Sequence, residues 1–254
     1  MRKRKLTIAA GLGTLLVLSV ACSSNKVSQQ SAVQSHGDAK GTAPSAAVAK
    51  QADKAMVRFV NGTNDSKNLA FGDLTPFDDV GSHDITAYKE LPAERHDFKL
   101  FDNDNKTTAL ATNSEGLSAG KRYTILAFTE KSGKVTLDPV VDNLTPPSPN
   151  MAKIRVINLA PGMKNIDLYA RGDKDALISG AGLDHPTDYK EVAPTQAALY
   201  FRNTMSKKNS VPVEDVNLKP GKLYTILVFQ DKHGKAKVKT IEDEFTAAPN
   251  GTNS

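Results

Sequence analysis

The sequence predicts an all-β protein: two tandem Greek-key, immunoglobulin-like β-sandwich domains that follow a signal peptide and a disordered tether. Three observations carry this. Apolar residues come in runs of four to eight separated by Gly, Pro, Asn and Asp, with no stretch holding a 3.6-residue period for three turns. The chain is written twice beyond its first fifty residues. A Leu-x-x-Gly-x-x-Tyr segment recurs before an apolar run in each copy.

The repeat is visible residue by residue. Val57-Arg58-Phe59-Val60-Asn61 returns as Ile154-Arg155-Val156-Ile157-Asn158, and Tyr88-Lys89-Glu90 returns as Tyr189-Lys190-Glu191. Leu117 to Leu126 matches Leu218 to Leu227, and the match continues through Phe128 and Phe229. A period near a hundred residues marks whole domains in tandem rather than a solenoid of small units. The first copy is expected over residues 55–142 and the second over 152–245, joined by a stiff linker at 143–151 that holds Pro146, Pro147 and Pro149.

In the second copy the apolar runs predict strands at Lys153 to Asn158, Ile166 to Ala170, Tyr189 to Val192, Ala197 to Arg202, Val211 to Leu218, Leu223 to Gln230 and Ala236 to Ile241. Seven short strands in this length suit a sandwich. Leu223 to Phe229 is apolar almost throughout, as in a central strand covered on both faces. Leu218-x-Pro220-Gly221-x-x-Tyr224 predicts a tyrosine corner, in which a Tyr opening a strand returns its hydroxyl to backbone upstream; Leu117, Gly120 and Tyr123 predict the same with Ala119 in place of Pro.

Ahead of the repeats, Arg2 to Lys5 are basic and Leu6 to Ala21 is apolar or small, the layout of a secretory signal peptide over residues 1–21. Sixteen residues would make roughly 24 Å of helix, too short to span a bilayer. Leu18-Ser19-Val20-Ala21-Cys22 resembles a bacterial lipoprotein lipobox, which implies acylation of Cys22 and a membrane anchor in the cell envelope; Ser23, rather than Asp, implies the outer membrane in a cell with two. Residues 22–54 are rich in Ser, Ala, Gln and Lys and read as a flexible tether of about 30 Å root-mean-square span. Residues 246–254 read as a disordered tail.

Composition narrows the function. The formal charge is +5, but four of those charges lie in the signal segment, leaving a body near neutrality with no surplus for a nucleic-acid backbone. With one Cys in the whole chain, disulfides, thiolate catalysis in the domains and Cys-ligated zinc drop out.

The run Ile154-Arg155-Val156-Ile157-Asn158-Leu159-Ala160-Pro161, then Ile166-Asp167-Leu168-Tyr169, Tyr189 and Leu218-x-Pro220-Gly221-x-x-Tyr224 resembles the bacterial domain of unknown function 4397. The resemblance covers about residues 55–245 and implies sandwich-like domains in exported proteins.

Several fragments imitate catalytic or binding motifs. Gly116-Leu117-Ser118-Ala119-Gly120 has the form of a nucleophile elbow, and Ser118-x-x-Lys121 that of a penicillin-binding pair, but both require a helix after the serine, where a strand is predicted. The five histidines are scattered, and Asp102-Asn103-Asp104-Asn105 suits a turn better than a calcium loop, lacking the Gly and distal Glu. Tyr88, Tyr189, Tyr123 and Tyr224 are paired across the copies and are expected in the core. Tyr169, Tyr200 and Phe201 have no clear counterpart in the first copy; Tyr200 and Phe201 are the ligand-contact candidates, only one of which faces solvent on a strand.

The expected function is a membrane-anchored cell-envelope lipoprotein acting as a non-catalytic binding or structural module. It has no cofactor, no metal and no nucleic-acid partner, and its partner is an envelope protein or a glycan. Carbohydrate or peptidoglycan binding near Tyr200 or Phe201 is the first alternative, and a serine hydrolase using Ser118 the second.

Overall fold

The structure is a computed structural model that describes residues 54–65, 67–72, 77–183, 185–204, 210–214 and 216–245. The signal segment, Cys22, the tether and the tail lie outside the described residues.

Among the described residues, the first copy holds eight strands: β1 (Lys54–Gly62), β2 (Leu69–Gly72), β3 (Phe77–Val80), β4 (Lys89–Pro92), β5 (Arg95–Asp102), β6 (Ala111–Gly116), β7 (Arg122–Thr129) and β8 (Val135–Val141). The second repeats them as β9 (Ala152–Asn158), β10 (Asn165–Ala170), β11 (Ile178–Gly182), β12 (Lys190–Val192), β13 (Leu199–Asn203), β14 (Val211–Val213), β15 (Leu223–Gln230) and β16 (Ala236–Asp243). Each copy forms two four-stranded sheets, ordered β3-β2-β5-β6 and β4-β1-β7-β8 in the first, and β11-β10-β13-β14 and β12-β9-β15-β16 in the second. The all-β sandwich expectation holds. One sheet of each copy is mixed rather than purely antiparallel, because β1 runs parallel to β7 from Met56↔Arg122 to Gly62↔Phe128, and β9 parallel to β15.

Side-chain alternation explains why β7 and β15 are apolar along both faces. Tyr123, Ile125 and Ala127 point into the first sandwich core and Tyr224, Ile226 and Val228 into the second. The intervening Leu126 and Phe128, with Val60 of β1, pack against Leu227 and Phe229, with Ile157 of β9 and Leu159, to form a third core between the copies. The sheets containing β7 and β15 therefore face each other, and the other two sheets lie outermost. The approach is close at Gly62: a Cβ there would lie 2.5 Å from Leu159 Cδ1 and 2.9 Å from the Ala127 carbonyl oxygen.

The repeated Asn at the end of the first strand has a structural task in both copies. Asn61 Nδ2 donates to the Val80 carbonyl at 2.9 Å, and Asn158 Nδ2 to the Ala181 carbonyl at 3.3 Å, tying β1 and β9 to the hairpin of the opposite sheet. The linker is pinned as well. Ser148 donates through its backbone N and its Oγ to Glu191 at 2.8 and 3.0 Å, and Lys153 Nζ reaches the Thr145 hydroxyl at 3.0 Å.

Two strand boundaries differ from expectation. Ile178–Gly182 is an added strand, hidden in sequence by two glycines; Gly180 takes φ +69° and the β10–β11 register shifts beside it. The expected strand at Val211 to Leu218 ends at Val213, and Leu218 instead bridges Thr195.

Both tyrosine corners form. The Ser118 backbone N donates to the Tyr123 hydroxyl at 3.0 Å; Tyr224 accepts from Lys219 N at 3.1 Å and donates to the Asn217 carbonyl at 3.0 Å. Gly120 and Gly221 take φ +71° and +74° in the turns that make this possible. Tyr224→Phe strands two backbone groups and is expected to destabilise the chain by about 1–3 kcal/mol, more than Tyr123→Phe. Urea denaturation of the two variants measures the difference.

Candidate functional site

Among the described residues, several buried ionisable groups converge between the two sandwiches. Arg58 sits in the middle of β1 and Arg155 in the middle of β9, each one residue out of step with the core-facing side chains of its strand. Both point into the interface and are buried, at 5% and 2% exposure. Arg58 Nε donates to Thr124 Oγ1 and Arg155 Nε to Thr225 Oγ1, each at 2.8 Å. Thr124 in turn donates to Asp142 Oδ2 at 2.6 Å, and Thr225 to Asp243 Oδ2. Tyr88 donates to Asp142 Oδ2 at 2.6 Å and Tyr189 to Asp243 Oδ2 at 2.7 Å.

The charges then cross over. Arg155 Nη2 meets Asp142 Oδ1 of the first copy at 2.5 Å, and Arg58 Nη1 lies 2.8 Å from Asp243 Oδ1 of the second. Each guanidinium also lies over its own copy's tyrosine, with Arg58 4.7 Å from the Tyr88 ring centre and Arg155 4.6 Å from that of Tyr189. Two arginines and two aspartates are thus exchanged about a local two-fold.

Protonation follows from this packing. Burial works against charge on Arg58 and Arg155, but Asp243 and Asp142 outweigh it and raise both pKa values. Burial likewise pushes the Asp142 carboxyl up, and Arg155, Arg58 and the bonds from Thr124 and Tyr88 more than reverse it, holding Asp142 below the usual carboxylate range. Burial and the neighbouring aspartate raise both Tyr88 and Tyr189, so each phenol keeps its proton and donates it. A cleft of about 470 Å³ borders Asp142 beside the linker, but the Asp142 side chain is fully buried and turned to Arg155, not to the cleft.

The second feature is exposed. On the outermost sheet of the second copy, Tyr169 of β10 and Tyr200 of β13 are direct cross-strand partners, their rings 5.6 Å apart and 13° from parallel. Arg202, two residues along β13, holds its guanidinium 4.8 Å from the Tyr200 ring centre and 5.4 Å from that of Tyr169. All three are partly exposed, and exposed Pro212 of β14 pairs with Tyr200 on its other side.

Of the ligand-contact candidates, Phe201 needs correction. It is fully buried in the second core opposite Leu168, because the strand alternates and Tyr200 takes the outer face. Cys22 lies outside the described residues. Ser118 sits in a turn that runs directly into β7, its backbone N committed to Tyr123. Asp102–Asn105 closes a turn at the end of β5, with Asp102 paired to Lys67 at 2.6 Å. His96 is buried against the Pro92 carbonyl, while His185 and His233 are exposed. Among the described residues no three His, Cys, Asp or Glu side chains are placed to hold a metal ion.

Sequence reasoning did not single out Arg58, Arg155, Thr124, Thr225, Asp142 or Asp243. The signal was present: an arginine in the middle of an apolar strand, in the same place in both copies. His83 is a further surprise, stacked at 4.8 Å on Phe229 of the other copy with φ 67°.

Residues 55–169 match the family model of DUF4397, a domain of unknown function. The resemblance to that family therefore holds over residues 55–169, while the motifs at Tyr189 and at Leu218 to Tyr224 lie beyond the match. The match covers the whole first sandwich and enters the second as far as β10. No curated protein is matched by the sequence. Among solved structures, the chain is similar to the C-terminal domain of AlgF from P. aeruginosa at 23% identity, covering 37% of this chain and 99% of that one with a TM-score of 0.30. It is also similar to a "putative cell adhesion protein" from Bacteroides uniformis at 13% identity, covering 76% of this chain and 99% of that one with a TM-score of 0.25.

Removing one partner from a buried ion pair leaves the other charge stranded. Asp142→Ala is expected to destabilise the chain by about 3–5 kcal/mol, whereas the double change Arg155→Met with Asp142→Leu costs markedly less; denaturant midpoints distinguish the two. His83 is set by burial first and then by Lys237, both of which lower its pKa against the pull of Asp231 and Asp84. Since its folded pKa lies below the unfolded value of about 6.5, stability is expected to fall as pH drops below that value. His83→Asn, which tolerates positive φ, is expected to flatten that part of the pH profile of thermal unfolding.

Proposed function

We propose that the protein is a lipid-anchored cell-envelope protein whose two-sandwich body acts as a non-catalytic binding or structural module. The observation that supports this most is the fate of the converging ionisable groups. The two arginines, two aspartates and two tyrosines that most resemble a catalytic cluster are bonded to one another between the sandwiches, with both aspartate side chains fully buried. Ser118, the alternative nucleophile, has a strand after it where the nucleophile-elbow and penicillin-binding motifs it imitates need a helix.

The anchor rests on the sequence: a basic start, a short apolar segment and a cysteine at its exit, with Ser23 in place of Asp favouring the outer membrane of a two-membrane cell. Several acyl chains on Cys22, each methylene contributing about 0.8 kcal/mol, would hold the body on the bilayer without measurable release. A second reading, glycan binding, is favoured by the Tyr169, Tyr200 and Arg202 face.

Metabolic labelling with palmitate is expected to mark the wild-type chain and to leave Cys22→Ala unmarked and released from membranes. Label persisting in Cys22→Ala would refute the anchor.

A further inference from the structure

The internal repeat provides a control for what the fold itself requires. Behind the outer sheet, Leu168 pairs with Phe201 in the second copy as Phe71 pairs with Leu100 in the first, and all four are buried. One residue further along, the outward pair is Tyr169 with Tyr200 in the second copy but Gly72 with Lys99 in the first. The pair at Asp167 and Arg202 corresponds to Ala70 and Phe101. The sandwich therefore forms without the stacked tyrosines and without the arginine, which belong to the surface of one copy alone.

The state of Arg202 indicates what that surface can recognise. Its guanidinium is held by two aromatic faces and, among the described residues, makes no ion pair or side-chain hydrogen bond, which leaves its N–H fork open to a planar anion. Its cross-strand partner, Asp167, is buried and engaged by Gly180 N at 2.8 Å and Thr204 Oγ1 at 2.9 Å. Arg171, just beyond β10, adds a second exposed cation. Tyrosine rings with Pro212 alongside give an apolar strip across β10, β13 and β14 that matches the C–H face of a sugar ring, while a neutral sugar would leave the open fork unused.

We propose that this face binds a carboxylated glycan, with Arg202 receiving the carboxylate and the Tyr169–Tyr200 pair and Pro212 bearing on the sugar rings. The inference rests on the binding-module reading and gives it a ligand class. Such carboxylates occur in uronate polymers and in peptidoglycan, and binding can separate the two.

The full-length protein, purified in detergent at 150 mM salt, is titrated with polygalacturonate, with its methyl ester and with solubilised peptidoglycan strands. Binding to at least one carboxylated glycan is expected, with none to the methyl ester; polygalacturonate alone points to a uronate polymer, peptidoglycan alone to the cell wall, and both to the carboxylate itself as the feature read. Arg202→Ala, Arg202→Gln and Tyr200→Leu are each expected to weaken binding by about tenfold or more. Lys99→Ala, at the corresponding place in the first copy, is expected to bind as the wild type. Thermal unfolding of each variant reports that the sheet is intact, and the two Arg202 variants check one another. Absence of binding to both glycans, equal binding to the methyl ester, or full binding by the Arg202 variants would overturn the inference. Since the purified chain is measured directly, such a failure leaves the lipid anchor and the non-catalytic reading standing.

Discussion

The arrangement of this protein depends on an exchange of buried charges. Arg58 and Arg155 carry guanidiniums into an apolar contact where desolvation alone would forbid them, and each is neutralised by the aspartate of the opposite copy. The aspartates are in turn held by a threonine and a tyrosine of their own copy. Neither sandwich can satisfy its own arginine fully. Sliding one sandwich over the other by a residue pair would leave a charge against Leu126, Phe128, Leu227 or Phe229, so the polar centre sets the register while the apolar surround supplies the driving force.

The mixed sheets follow from the same constraint. In each copy the parallel pair, β1 with β7 and β9 with β15, occupies the middle of the sheet, where both faces are covered. Parallel pairing is favoured in such sites, and here one cover is the chain's own second sheet and the other is the opposite copy. The outer sheets, covered on one face only, are antiparallel hairpins with polar residues alternating outward, as in β6 with its Ala-Thr-Asn-Ser-Glu-Gly. The outer surfaces were consequently free to diverge, and the Tyr169, Tyr200 and Arg202 cluster stands on one of them.

Much of this was legible in the sequence. The all-β class, the two copies and the tyrosine corners follow from local spacing, because turns and side-chain alternation are local physics. Leu223 to Phe229 also announced a strand covered on both faces. What covers the second face was not legible, since apolar character records burial and not the identity of the neighbour. The charge exchange escaped for a related reason: Asp142 follows β8 and Asp243 ends β16, each in the opposite copy from the arginine it pairs with, and only the meeting of the copies brings Arg155 and Arg58 to them. At Ile178–Gly182 the residue types argued against a strand, and pairing with β10 prevailed. Tyr200 and Phe201 were singled out together, and the pleat separates them into a surface residue and a core residue.

The linker between β8 and β9 spans 142–151, and its Ser148 is fastened to Glu191. A contact built from the same patch twice is the geometry of a symmetric dimer, but here both halves are one molecule. Joined by so short a connection, each half meets the other at millimolar effective concentration however dilute the protein becomes. Dilution therefore does not part the two halves, as it would the subunits of a dimer held by the same contact.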